Sequence, residues 1–165
     1  MRGKRNNDSS SSSDSSSQDN DIPTVSIKAF ASGAQEVPMV DSDTSATVTL
    51  NFSADFSQVD FEVDVFDGVG ITQIHLHCAP AGANGPVITF LLPFNENGMD
   101  INGEAASGTI TNDDIMATAC GENIAALYDS ILEREVYLNV HSLLNAPGEV
   151  RGQVFPLPSS GFVTI

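Results

Sequence analysis

Residues 59–65 read Val-Asp-Phe-Glu-Val-Asp-Val, apolar and acidic side chains in strict alternation. A period of two is the repeat of a β-strand, whose successive side chains point to opposite faces, and it does not build the stripe of an amphipathic helix. Such a segment folds as a strand with one face on a core and its carboxylates in water. The pattern recurs. Residues 24–31 set Val25, Ile27 and Ala29 against Thr24, Ser26 and Lys28, and Ala46, Val48, Leu50 and Phe52 alternate with Thr47, Thr49 and Asn51. Further strands are predicted over 71–77, 87–92, 105–110, 135–141 and 149–155. Between them, Asp67-Gly68, Ala83-Asn84-Gly85-Pro86, Asn97-Gly98, Asn102-Gly103 and Ala146-Pro147-Gly148 supply turn chemistry. Short strands at this spacing predict an antiparallel all-β domain. One stretch departs from it: Ile124, Leu127, Tyr128, Ile131 and Leu132 repeat at helical spacing, after an acidic start at Thr111 to Asp114. One or two short helices are therefore expected as an insertion within 112–134.

Charge narrows the possible partners. The chain of 165 residues carries 22 acids against six Lys and Arg, a formal net charge of -16. In residues 1–20, Arg2, Lys4 and Arg5 cancel Asp8, Asp14 and Asp19, which leaves 19 acids against Lys28, Arg134 and Arg151 for the rest. Phosphate-tracking surfaces need clustered Lys and Arg, so nucleic acid and anionic lipid are excluded as partners, while cations are attracted. No apolar run is long enough to predict a membrane span. Residues 1–22 read as a disordered Ser/Asp-rich linker, suited to tethering a domain and lacking the apolar stretch of an export signal. The expected arrangement is this linker, a β-domain over 23–158 and a C-terminal tail over 159–165, in an extracytoplasmic protein whose export signal is absent from this chain.

The three histidines all lie in predicted strands. His75 and His77 share one face while Ile74 and Leu76 take the other. Val136, Leu138 and Val140 likewise leave Tyr137, Asn139 and His141 opposite, and Glu149, Arg151 and Gln153 alternate with Val150, Gly152 and Val154. If these strands are neighbours, one polar face gathers three imidazoles with a Glu, an Arg and two amides, with Arg151 approaching His141. Imidazole is a favoured ligand of zinc and copper, and three His leave a coordination position open. Asn139 or Glu149 would then fix an imidazole tautomer, and Arg151 and Gln153 would meet an anion or other ligand. Alternation turns Cys78 away from this face. A disulfide between Cys78 and Cys120, or a buried thiol, fits it better than a metal-ligand role, the bridge being the default in an exported domain.

Four motifs in order carry a family resemblance: Gly33-Ala34-Gln35-Glu36-Val37-Pro38; Ile74-His75-Leu76-His77-Cys78 with Gly82-Ala83-Asn84-Gly85-Pro86-Val87; Tyr137-Leu138-Asn139-Val140-His141; and Pro147-Gly148-Glu149-Val150-Arg151-Gly152-Gln153. From about Val25 to Val154 the chain resembles the CHRD domain, the module first named in chordin and common in bacterial exported proteins. Met39 stands where a second proline is usual. The resemblance implies an extracytoplasmic antiparallel Greek-key β-sandwich, immunoglobulin-like or similar to Cu,Zn superoxide dismutase. The functional expectation is a binding module that holds copper or zinc on His75, His77 and His141. Behind it rank a structural module recognising an extracellular protein or glycan without metal, and then a copper-dependent redox enzyme of superoxide dismutase type.

Overall fold

The computed structural model describes residues 27–157. The predicted linker, the C-terminal tail and the start of the first predicted strand lie outside them. Eight strands follow in antiparallel pairing: β1 (Ile27–Ser32), β2 (Ser45–Phe52), β3 (Gln58–Cys78), β4 (Val87–Leu92), β5 (Met99–Thr111), β6 (Val136–Ser142), β7 (Val150–Gln153) and β8 (Phe155–Pro156). One α-helix, α1 (Ile124–Leu132), and two single 3-10 turns complete the order.

Strand β3 organises the rest. Its first half pairs with β2, from Phe52↔Val59 to Ser45↔Phe66, and on its other edge with β5, while its second half pairs with β4 and β6. It thus joins a layer ordered β1-β2-β3-β5 to a layer ordered β7-β6-β3-β4. The two layers meet again where Ser32 of β1 pairs with Arg151 of β7. The return of β7 to lie beside β1 is a Greek-key connection. Between the layers Val48, Leu50, Val63, Val65, Ile74, Leu76, Leu138 and Val140 form one fully buried core. The all-β, sandwich-like architecture expected from the alternation is the architecture observed.

Two expected turns are not turns. Asp67-Gly68 and Asn102-Gly103 sit inside β3 and β5, at places where the register between those strands shifts. Asp67 and Gly70 take positive φ, 52° and 61°, so the chain bends without reversing. Turn-forming residues in a strand make a bulge, which bends it and increases its twist. The bend is held from β5, since Asp100 Oδ1 accepts from the Gly70 amide at 2.9 Å. This turns β3 from one layer into the other.

The insertion folds as predicted. Thr111 and Asp114 cap a 3-10 turn over Asn112–Asp114, and Asn123 caps α1 by accepting from the Ala126 amide at 2.9 Å. The helix buries Ile124, Leu127 and Ile131, while Leu132 stays exposed. A disulfide joins Cys78, at the end of β3, to Cys120, just before the helix. The bridged residues are 42 apart, for which loop closure in the unfolded chain contributes roughly 4 kcal/mol. Replacing both cysteines by alanine is expected to lower the unfolding free energy by about 2–4 kcal/mol in urea titrations. An unchanged midpoint, or two free thiols by mass in protein made in an oxidising compartment, would contradict the bridge.

Candidate metal centre

Strands β3, β6 and β7 are neighbours, so their polar side chains share one face. His75 lies opposite Asn139, His77 opposite Tyr137, and Asn139 opposite Arg151, with Tyr137 opposite Gln153. His141 pairs with Gln73, which makes it a diagonal neighbour of His75. The ring centroids of His75 and His141 are 4.8 Å apart, those of His75 and His77 5.4 Å, and those of His77 and His141 5.9 Å.

This face is not open to water. All seven residues of β6 are buried, and loops lie over the polar side. Glu36 accepts from Asn139 Nδ2 at 2.7 Å, and Asn84 Nδ2 donates to the Val37 carbonyl at 2.7 Å, which ties one loop to the other. The same loops orient the imidazoles. His77 Nδ1–H donates to the Gly85 carbonyl and His141 Nδ1–H to the Ala146 carbonyl, each at 2.9 Å. Gly85 has no room for a side chain, because an added Cβ would meet the Cys78 carbonyl oxygen at 1.8 Å. Its carbonyl reaches His77 through that close approach.

With Nδ1 committed as donor, Nε2 of His77 and of His141 keeps its lone pair. Both atoms are buried without a hydrogen-bond partner, as are the two ring nitrogens of His75. One nitrogen from each ring falls within a cluster whose members all lie within 4.8 Å of one another. Burial, reinforced by the neighbouring His141 and His77, pushes the His75 pKa down to about 3. Burial also lowers His77 and His141, against the raising effect of their carbonyl bonds. All three rings are neutral at pH 7, the form that binds metal. Phe90, paired opposite His75 on β4, meets its ring edge-on at 4.4 Å between centroids.

The other predicted residues occupy defined places around it. Arg151 is 1% exposed. Its guanidinium lies 3.6 Å from the centroid of Tyr137, which in turn stacks on His77 at 4.9 Å. It is therefore His77, rather than the expected His141, whose pKa feels the guanidinium. Gln153 accepts from Arg151 and donates to the Arg134 carbonyl. Glu149 precedes β7 and accepts from Ser42, Ser142 and Asn145. Burial raises its pKa, but those hydrogen bonds outweigh it and hold the carboxyl below its ordinary range. Asn139 donates to Glu36 instead, so loop carbonyls fix the tautomers of His77 and His141 in place of either expected side chain. Glu36 and Tyr137, which sequence reasoning gave no role, belong to this layer. An acid in an otherwise uncharged loop was the available signal for Glu36. The carbonyls of Gly85 and Ala146 had none, since every residue carries one.

A family model, the CHRD domain, matches residues 27–154. No curated protein and no solved structure matches. The match covers most of the chain, and the chain belongs to the CHRD-domain family.

The buried rings give the metal-free protein a defined response to acid. Each histidine has a folded-state pKa below its unfolded value near 6.5, so the unfolded chain takes up protons first as the pH falls. Their stabilising contribution is complete above pH 6.5 and declines below it. Between pH 6.5 and 5, His75 alone removes about 2 kcal/mol. Glu36 opposes this in part, because burial raises its pKa and the folded state then gains from protonation. Urea denaturation of chelator-treated protein is expected to show a lower midpoint at pH 5 than at pH 7, with a weaker dependence in His75→Phe. A flat profile would contradict three buried neutral imidazoles.

Proposed function

We propose that this CHRD domain is an extracellular-type binding module that holds one copper or zinc ion on His75, His77 and His141. The observation that carries the reading is the convergence of partnerless imidazole nitrogens in a buried layer whose other side chains are hydrogen-bonded. An unpaired buried polar atom costs about 1–3 kcal/mol, so several together in a folded core call for an occupant. The acceptor lone pairs of His77 and His141, fixed by the carbonyls behind them, suit a cation.

Spacing supports a close-fitting ion. With bonds of about 2.1 Å, tetrahedral ligand atoms stand about 3.4 Å apart. A bound ion would draw the present cluster, within 4.8 Å, toward that spacing. An all-imidazole set suits zinc and copper, while calcium and magnesium require oxygen ligands. Bound there, the ion supplies a Lewis-acidic centre with a fourth position for water or a ligand. Of the chain's own residues, the Gly85 and Ala146 carbonyls hold His77 and His141 in one tautomer, and Tyr137 stacks on His77. The disulfide accords with an oxidising compartment, where zinc or copper meets no competing free thiol from this chain.

Tag-free protein is expected to bind one zinc or copper ion per chain in calorimetry and metal analysis. At a free ion concentration of 100 Kd the gain is about 2.7 kcal/mol. That corresponds to a rise of about 5–10 °C in Tm. His75→Ala combined with His141→Ala should abolish both binding and the rise in Tm, and affinity should fall from pH 7 to 5 as protons compete for the nitrogens. No stoichiometric binding, or binding indifferent to the double substitution, overturns the reading.

A further inference from the structure

Strand β5 has a neighbour on one side only. Among the described residues it pairs with β3 alone, which leaves the other edge of its backbone without a strand. From Val63↔Ala106 to Gln58↔Thr111 the pairing runs without a register shift, so that edge is regular as well as free. Ser107, Gly108 and Thr109 are exposed in succession. Because successive residues take opposite faces, water reaches both faces of the strand there.

Edges of this kind are commonly blunted by a lysine, a proline, a bulge or an inward-pointing charge. Residues 106–111, Ala-Ser-Gly-Thr-Ile-Thr, hold none of these, and the members on the core side are Ala106, Gly108 and Ile110. Acids guard the edge instead. On the water-side face Asp60 and Glu62 of β3 stand opposite Thr109 and Ser107, and Asp64 stands opposite Glu104. The basic residue in the same row as Glu62 is Lys28, on β1 and beyond β2. A second copy added edge to edge would bring this acidic face alongside its own like and be repelled.

A strand with Lys or Arg on that face is attracted. It would stand about 10 Å from β3, two strand spacings away. The side chains between are the short ones of Ser107 and Thr109, so long basic side chains reach across them to Glu62 and Asp60. The other face calls for apolar residues. The half-buried Phe61 ring lies against Gly108, 3.2 Å from where an added Cβ would stand, and presents apolar surface beside the free edge. We infer that the free edge of β5 is a docking site for an extended segment of a basic protein partner, in which Lys or Arg alternates with apolar residues, added to the sheet as a further strand. The chain's own basic start, Met-Arg-Gly-Lys-Arg-Asn-Asn at 1–7, has the charge but sets Gly3 and Arg5 where apolar residues belong. The edge shares no residue with the imidazole cluster, so the inference is independent of metal binding.

Nitrogen-15 NMR titration of the full chain, with chelator present, tests the inference with four synthetic peptides. These are an octapeptide alternating Lys and Val, its Glu and Val counterpart, the lysine peptide N-methylated along its backbone, and residues 1–7 of this chain. The lysine peptide is expected to give saturable shifts centred on the amides of 106–111, with affinity at least about tenfold above the other three. That affinity should fall several-fold as salt rises from about 50 to about 300 mM. Asp60→Asn combined with Glu62→Gln, both at exposed positions, should lower it about fivefold while leaving Tm unchanged. No saturable shift at 106–111, equal affinity for any of the other three peptides, or affinity indifferent to the double substitution overturns the inference. Shifts at 106–111 that grow with protein concentration alone assign the edge to a second copy and also overturn it.

Discussion

Strand β6 is buried on both faces, but only one of those faces is apolar. Val136, Leu138 and Val140 enter the hydrophobic core, while Tyr137, Asn139 and His141 face the other way into a layer made of side chains and loop backbone. Buried polar groups have to find partners, and on this face most partners are main-chain carbonyls. Pro80 and Ala79 serve Arg151 and Gln153, Gly85 serves His77, and Ala146 serves His141. The loops that cover the sheet are therefore also the elements that set which imidazole nitrogen carries a proton. Among the atoms left without a partner, a nitrogen from each of the three imidazoles collects in one place.

The charge distribution of the chain acquires a different meaning in this setting. The acids of β3, Asp60 and Glu62, point outward as the alternation requires, and they keep the surface hydrated. Arg151, one of three basic residues in the domain's part of the sequence, is the largest of its fully buried side chains. A guanidinium can occupy that position because it is planar and weakly hydrated. Its plane lies over Tyr137 while its edge donates to three oxygens, a division between face and edge that an ammonium lacks.

Much of this was legible in the sequence. The alternation at Val59 to Val65 and the i, i+2 placement of His75 and His77 depend on strand geometry alone, which is local. The grouping with His141 required only that β3 and β6 be neighbours. What could not be read was depth and direction. Asp67-Gly68 has the same local chemistry in a turn and in a bulge, and only the pairing of β3 with β5 on one side and β6 beyond it decides between them. Likewise nothing in Gly33 to Pro38 announces that this loop folds over the polar face. Its contacts, Glu36 with Asn139 and Val37 with Asn84, join residues 103 and 47 positions apart.

The bend in β3 has one more consequence, for how the molecule comes apart. In an ordinary sandwich the two leaves are joined by loops, and one leaf can fray while the other persists. Here a single backbone of 21 residues runs through both, so separating them breaks hydrogen bonds on either side of the bend together. The ladders that meet there link residues far apart in sequence, which makes for slow and highly cooperative assembly. Partial opening is then confined to the outer strands and the helical insertion. The histidine cluster lies near the end of the shared strand and on its inner neighbour β6, beside the Cys78–Cys120 bridge that holds that end of β3.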